Sequence, residues 1–435
     1  MHIPFKNVRG RPIDWVIVGK LQVDTARVAG DQVFIARQPI LDRHKQVHAY
    51  ELLFRASSSA PTADTTSSTA TARVITDAMI AFDLDTVTHR RPAFINVTRD
   101  LLLAGIPTTL PPKRFVIELL ENIEADPEVV AACQALRNAG YQIALDDFQL
   151  TERTAGLLPI ATFVKVDFIL TPDATERQRV IAAARQHGCV PIAEKVETVE
   201  QFDAAVAEGF EFFQGYFFGR PVTKGARDIP ADKIAHLRLL HALSDPNLTV
   251  HTLESLVKHD ASLCFRVLRT VNSAAFGQAT EINSIKQALV LMGIDTVRRW
   301  VSLWVMAGLN DRAHPEVIDM AAIRARSCEL LALRQDGPDA ASGGFLLGMC
   351  SMLDAILARP MEAVLTQLPL PKETQAALRG EDTQARRLLD CAIAYERGEW
   401  DRCLELAHRA GFDPTALPAA HRDALRWSAE FLKAS

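Results

Sequence analysis

Eight short apolar runs, spaced between residues 33 and 222 and separated by longer helical patterns, constrain this chain more than any other feature. The runs fall at 33–37, 49–55, 94–97, 115–118, 143–146, 163–167, 190–194 and 213–217. Each is rich in Val, Ile, Phe or Leu, and most lack two-residue alternation, as strands covered on both faces do. Helical patterns lie between them at 127–139, 173–187 and 198–208, with Asp173 and Thr198 placed as N-caps. Strand and helix in alternation predict a parallel sheet with covering helices. Eight strands predict that the sheet closes into a (β/α)8 barrel. Only residues 39–48 join the first two runs, too few for a crossover helix, so this pair is expected to be antiparallel.

After Pro221 the strand signal stops. Helical segments at 234–243, 252–258, 261–272, 285–291, 297–309 and 424–432 predict an all-α second domain. The organisation read from the sequence is a tail at 1–30, a barrel domain at 31–223 and a helical domain at 228–435, with residues 224–230 as the boundary. A Ser/Thr/Ala-rich segment at 57–71 reads as a loop after the second strand. Two domains suit a chain of 435 residues, and 48% hydrophobic residues supply their cores. A formal net charge of −5 argues against a general binder of nucleic-acid polymers and against a polybasic membrane anchor. The seven cysteines form no CxxC pair and are odd in number, which points to a reducing, cytoplasmic setting with each thiol buried as a small hydrophobe. No run approaches the roughly 18–20 uninterrupted apolar residues of a spanning helix.

Polar residues close nearly every apolar run at the same end. They are Glu51 and Arg55, Asn96, Glu118 with Glu121, Asp146 and Asp147, Lys165 and Asp167, Glu194 with Glu197, and Gln214. In a barrel these positions meet at the C-terminal mouth, where active sites of such folds lie. So many carboxylates stay ionised together only beside cations. All-oxygen ligands without thiolates select Mg2+ or Mn2+, and their number suits a two-metal hydrolytic site of the kind used in phosphoryl chemistry. Lys165 would orient the nucleophile and Arg55 would hold a phosphate oxygen. A glycosidase with Glu118 and Glu194 as its carboxylate pair is the competing barrel reading, but it leaves Asn96, the Asp pair and Lys165 idle.

The same residues carry a resemblance. Tyr50-Glu51-Leu52-Leu53-Phe54-Arg55 resembles the ExLxR signature of EAL domains, and Phe94-Ile95-Asn96-Val97-Thr98 their Asn-bearing strand. Ile117-Glu118-Leu119-Leu120-Glu121 is similar to the E-x-x-E element, Ala144-Leu145-Asp146-Asp147-Phe148 to the DDF element, and Lys165-Val166-Asp167 to K-x-D. Ala193-Glu194-Lys195-Val196-Glu197-Thr198 resembles AEGVET with Lys for Gly, and Phe213-Gln214-Gly215-Tyr216 resembles QGY. The resemblance implies a barrel with one antiparallel strand that binds cyclic di-GMP and linearises it to pGpG with two Mg2+ or Mn2+ ions. It implies Glu51, Asn96, Glu118, Asp146, Asp147 and Asp167 as metal ligands. By the same analogy Lys165, Glu51 and Glu194 act in catalysis, Arg55, Gln214 and Glu197 meet the substrate, and Glu121 braces the loop after Asp147.

That loop departs from the family pattern. Active relatives follow DDF with a Gly- and Ser-rich run, whereas Phe148 here precedes Gln149-Leu150-Thr151-Glu152-Arg153-Thr154. Gln149 and Thr151 resist backbone conformations that glycine allows. A displacement of about 1 Å can cost about 100-fold in rate. Turnover is therefore left open: the barrel reads as an active phosphodiesterase, as a sensor that binds without hydrolysis, or as a scaffold.

The second domain resembles an HDOD domain through "LVKHDASLCFRVLRTVNS" at 256–273 and "IKQALVLMGIDTVRRWVSL" at 285–303. Gly348-Met349, Leu353-Asp354, Tyr395-Glu396-Arg397-Gly398 and Trp400 resemble features of the EAL–HDOD fusion type. His259-Asp260 lacks the further His-Asp ligands of a metal hydrolase, and Asp260 reads as the N-cap of a helix from Ala261. The resemblance implies a non-enzymatic output module that contacts a protein partner or a second copy of the chain.

Overall fold

In the computed structural model the apolar runs become β1 (Phe34–Asp42), β2 (Val47–Arg55), β3 (Ala93–Val97), β4 (Phe115–Leu119), β5 (Gln142–Leu145), β6 (Phe163–Asp167), β7 (Val190–Glu194) and β8 (Phe212–Gln214). The structure describes residues 34–55, 84–216, 231–243, 245, 247–272, 282, 284–309, 315–366, 368 and 370–434. The tail at 1–30, the segment at 57–71 and the boundary at 224–230 lie outside the described residues. The chain divides into two units, Met1–Phe217 and Phe218–Ser435.

The strands close into a barrel in sequence order. β1 is antiparallel to both β2 and β8, and every other neighbouring pair is parallel. The β1–β2 connection is tighter than the ten residues expected. β1 continues to Asp42, whose Oδ1 accepts from the amides of His44 and Gln46 at 2.8 Å each, and β2 starts at Val47. An Asx turn of this kind satisfies backbone donors that a short hairpin would otherwise expose.

Helices α1 (Leu84–Thr88), α2 (Arg99–Leu103), α3 (Pro127–Asn138), α4 (Ala174–Gln186) and α5 (Val199–Glu208) belong to this unit. Their starts follow from local chemistry. Asp126 accepts from Val129 N with Pro127 at the first turn, and Asp173 accepts from Thr175 N. Thr198 and Gln201 form a reciprocal capping box.

The barrel interior is layered because side chains alternate along a strand. Ile40, Ala49, Phe94, Val116, Ala144, Phe163 and Ile192 form one buried apolar cluster, with Phe212 packed against it. Two residues away along the chain stand Gln38, Glu51, Asn96, Glu118, Lys165, Glu194 and Gln214 on the same strands, and Asp146 just past the end of β5. The apolar tier is a floor. The polar tier above it faces the mouth.

In the second unit the described elements are α6 (Ala231–Leu243), α7 (Val250–Lys258), α8 (Ala261–Val271), α9 (Ile285–Met292), α10 (Ile294–Gly308), α11 (Pro315–Asp336), α12 (Pro338–Cys350), α13 (Leu353–Leu357), α14 (Met361–Leu365), α15 (Lys372–Leu378), α16 (Gln384–Glu396), α17 (Trp400–Ala410) and α18 (Ala416–Ala434). Asp260 Oδ1 accepts from Leu263 N at 3.3 Å and so caps α8, while His259 Nδ1 lies 2.6 Å from Ser255 O. Two of the fusion-type motif residues, Gly348 and Glu396, meet α11 at Arg324. A Cβ at Gly348 would stand 2.5 Å from Arg324 O, so glycine permits the close approach of α12. Glu396 receives Arg324 at 2.8 Å in a buried pair, and Tyr395 meets Trp400 edge-on at 5.2 Å. One stretch, Ala340–Leu357, is long and apolar enough to cross a membrane by composition, with mean hydropathy 1.5, yet 56% of it is buried inside this unit. All seven cysteines are free thiols.

Candidate metal centre at the barrel mouth

The polar tier is organised around one cation. Lys165 on β6 is completely buried. Its Nζ lies 3.1 Å from Glu51 Oε2, 3.1 Å from Asp146 Oδ1 and 2.7 Å from Glu194 Oε1, and it is also ion-paired with Glu118 Oε1. An ammonium has three donors, so four carboxylates saturate it. Glu51 is held from two further sides. Asn96 Nδ2 donates to its Oε1 at 2.9 Å, and Gln214 Nε2 donates to its Oε2 at 2.7 Å and to Gln38 Oε1 at 2.9 Å.

These neighbours set the protonation of the ring. Burial alone would push Glu51 up, but the Lys165 charge and the Gln214 and Asn96 hydrogen bonds outweigh it and hold the carboxyl below its ordinary value. Glu118 is raised well above the usual carboxylate range, first by burial and then by the charge of Glu51. Burial pushes Glu194 up to about 8 against the pull of Lys165. Lys165 itself is raised well above the ordinary lysine value. Burial acts to lower it, and the surrounding carboxylates, Glu118 foremost, overcome that.

Asp147, Asp167 and Lys195 form a second cluster above the ring. Lys195 Nζ is ion-paired with Asp167 Oδ2 and lies 3.6 Å from Asp147 Oδ2. Asp167 Oδ1 accepts from the amides of Ile169 at 2.5 Å and Leu170 at 3.1 Å. Burial and the Asp146 charge raise Asp147, with Lys195 opposing them.

The donor set fits a hard divalent cation. Asp146, Asp147 and Glu194 offer oxygens within 4.8 Å of one another. Asn96 Oδ1, Glu118 Oε2 and Glu194 Oε2 are buried with no hydrogen-bond partner among the described residues. Buried oxygens left without donors are costly unless something positive completes them. A cavity of about 280 Å3 opens beside Asp146 and Asp147, between the segments that follow β4 and β5.

Three expected residues stand outside both clusters. Arg55 ends β2, half-buried, on the face that Glu51 also occupies. Glu197 sits three residues beyond Glu194, where its amide donates to Gln201 Oε1 at 2.7 Å. Glu121 is exposed on the cavity wall and has no hydrogen bond to the loop after Asp147. The tie comes instead from Glu124, which receives Arg153 at 2.9 Å, and from Ala125 N donating to Arg153 O at 2.8 Å.

The loop itself corrects an expectation. Gln149 and Thr151 adopt no left-handed conformation; the residue that does is Asp147, at φ 41°. Thr154 Oγ1 donates to Gln149 O at 2.5 Å, and its oxygen accepts from Thr151 N at 3.1 Å, closing the loop without glycine. Two contributors escaped the sequence reading. Gln38 lies on the one reversed strand, so its polar position precedes its apolar one. Lys195 stood out only as a departure from glycine.

A model of the EAL domain matches residues 22–221, and one of the HDOD domain matches 229–333. The Bacillus subtilis protein YuxH, itself uncharacterized, is 32% identical over 404 residues, 91% of this chain and 98% of its own length. The Vibrio cholerae cyclic di-GMP phosphodiesterase CdgJ is also 32% identical over 404 residues, 91% of this chain and 92% of its own. This chain belongs to the EAL–HDOD family. Among solved structures, Klebsiella pneumoniae BlrP1 with calcium and cyclic di-GMP is 24% identical, covers 43% of this chain and 55% of its own, and has a TM-score of 0.35. The EAL barrel is thus the first unit, with the Lys165 ring at its mouth. The HDOD match falls within the helical unit.

Proposed function

We propose that the EAL barrel binds cyclic di-GMP at its mouth and hydrolyses one phosphodiester to give pGpG, using Mg2+ or Mn2+. One observation carries this reading: the eight strands, with Asp146 just past β5, place polar side chains in one tier, and three of its buried oxygens, Asn96 Oδ1, Glu118 Oε2 and Glu194 Oε2, lack donors among the described residues. CdgJ, a relative across nearly its whole length, is named a cyclic di-GMP phosphodiesterase.

Glu51, Asn96, Glu118, Asp146 and Glu194 are the residues that would hold one divalent ion, and Asp147 and Asp167 are the candidates for a second. Such ions supply charge neutralisation at a phosphate and activation of water. The protein does the rest. Lys165 draws four carboxylates together against their repulsion, and Glu194, held by it through Oε1, orients the attacking water. Asn96 and Gln214 fix Glu51 in one rotamer. Glu194, whose Oε2 has no partner, accepts the proton of that water once ionised. Arg55, at the end of β2, and Glu197, three residues past Glu194, are the residues that would meet the substrate. The HDOD domain passes the state of the barrel to a protein partner or a second copy, in the cytoplasm.

The test is direct. Purified full-length protein is incubated with cyclic di-GMP and Mg2+ or Mn2+, and pGpG is followed. Product that disappears with Glu51→Ala supports the enzyme. Binding in Ca2+ with no product in either metal would instead establish a sensor, a reading favoured by Lys195 sitting on Asp147 and Asp167.

A further inference from the structure

Lys195 directly follows Glu194 and turns the chain out of β7 at φ 52°, a left-handed conformation unfavourable for a lysine. Its ammonium takes up Asp167 Oδ2 and approaches Asp147 Oδ2 at 3.6 Å. Asp147 is itself left-handed. Two left-handed residues therefore meet through opposite charges across the mouth.

The oxygens of the two tiers differ in what remains open. Asp167 is saturated, with Oδ1 on two backbone amides and Oδ2 on Lys195. Glu118, fully buried, keeps Oε2 without a donor, and Asn96 Oδ1 and Glu194 Oε2 are in the same state. Open ligand oxygens lie around the ring. The outer pair already has its cation.

We propose that Lys195 is a tethered cation that replaces one of two divalent ions at Asp147 and Asp167, leaving a single-ion site on Glu51, Asn96, Glu118, Asp146 and Glu194. The proposal rests on the reading that this mouth binds divalent ions. An ammonium held against Asp147 repels a dication at the same carboxylate. A site with one ion still binds a phosphate but lacks the second charge that stabilises the leaving oxygen. Substrate binding then outlasts turnover.

The experiment counts ions rather than product. Full-length protein is stripped of metal and titrated with Mn2+ by calorimetry. Electron paramagnetic resonance then reports exchange coupling between ions roughly 3.5–4 Å apart. The wild type is expected to bind one Mn2+ per chain with an uncoupled spectrum. Lys195→Gly is expected to bind a second ion at least about tenfold more tightly than the wild type does, with coupling. Lys195→Met keeps the side-chain bulk and the backbone strain but not the charge, and should behave like Lys195→Gly. Two coupled ions in the wild type would overturn the proposal. So would a single ion in both variants, or a gain in Lys195→Gly that Lys195→Met does not share. If no form binds Mn2+, the divalent-ion reading itself falls, and the proposal with it.

Discussion

Replacing Lys165 with methionine removes the one charge that holds the ring together. The side chain is 1% exposed, and its Nζ lies 3.1 Å or less from oxygens of four carboxylates. At an effective dielectric near 20, each ionised partner at about 3 Å contributes roughly 5 kcal/mol of attraction, which the cost of burying the lysine largely offsets. Deleting one partner of a buried pair leaves the others unpaired and costs about 3–5 kcal/mol. For a domain of this size the melting temperature falls by about 2–4 °C per kcal/mol, so the barrel transition should drop by about 6–20 °C.

The pH dependence has a definite sign. Glu118 and Glu194 are raised even beside Lys165, so without it they bind protons still more tightly folded than unfolded. The stability they retain is fully present below their unfolded values and is lost as pH rises through the raised folded ones. The deficit should be small near pH 5 and largest at pH 8. Metal-free protein is measured by differential scanning calorimetry at both values. Four of the five tryptophans, Trp300, Trp304, Trp400 and Trp427, lie in the helical unit, so fluorescence follows that unit as an internal control. An unchanged barrel transition at pH 8, or a deficit larger at pH 5, would refute the account of Lys165 as the ring's counter-charge.

Glu194, raised to about 8, must lose its proton to serve as a ligand, so apparent Mn2+ affinity should rise by about tenfold per pH unit between pH 6 and 8, with proton release seen by calorimetry in different buffers. A flat profile would show that Glu194 takes no part. Gly215 stands at φ 146°, and a Cβ there would lie 2.0 Å from Val196 O, so Gly215→Ala should break the Val196–Gln214 backbone bond and cost about 3 kcal/mol by denaturant melting. Thr154→Val removes the hydroxyl that closes the loop after Phe148, and should cost about 1 kcal/mol and speed amide exchange at Thr151. Unchanged exchange there would mean that the Glu124–Arg153 tie suffices.

Much of this protein is set by local signals. Asp173, Thr198 and Asp260 cap the helices they were read to cap, because a cap acts on amides two or three residues away. The strands, their polar ends and the antiparallel first pair were equally legible, since strand periodicity and connection length are properties of neighbouring residues. Only closure of the barrel decided what the polar ends do. Glu51 meets Lys165 across 114 residues and Gln214 across 163, separations that no local pattern encodes. Closure made Lys165 the hub of the ring and brought Gln38 in from a strand running the other way. It also turned Lys195, in the sequence a mere substitution for glycine, into the partner of Asp147 and Asp167. Residue types and spacing dictate which groups can ionise. Which charge sits against which, and so which oxygens remain open for a metal, is fixed only when the strands share one interior.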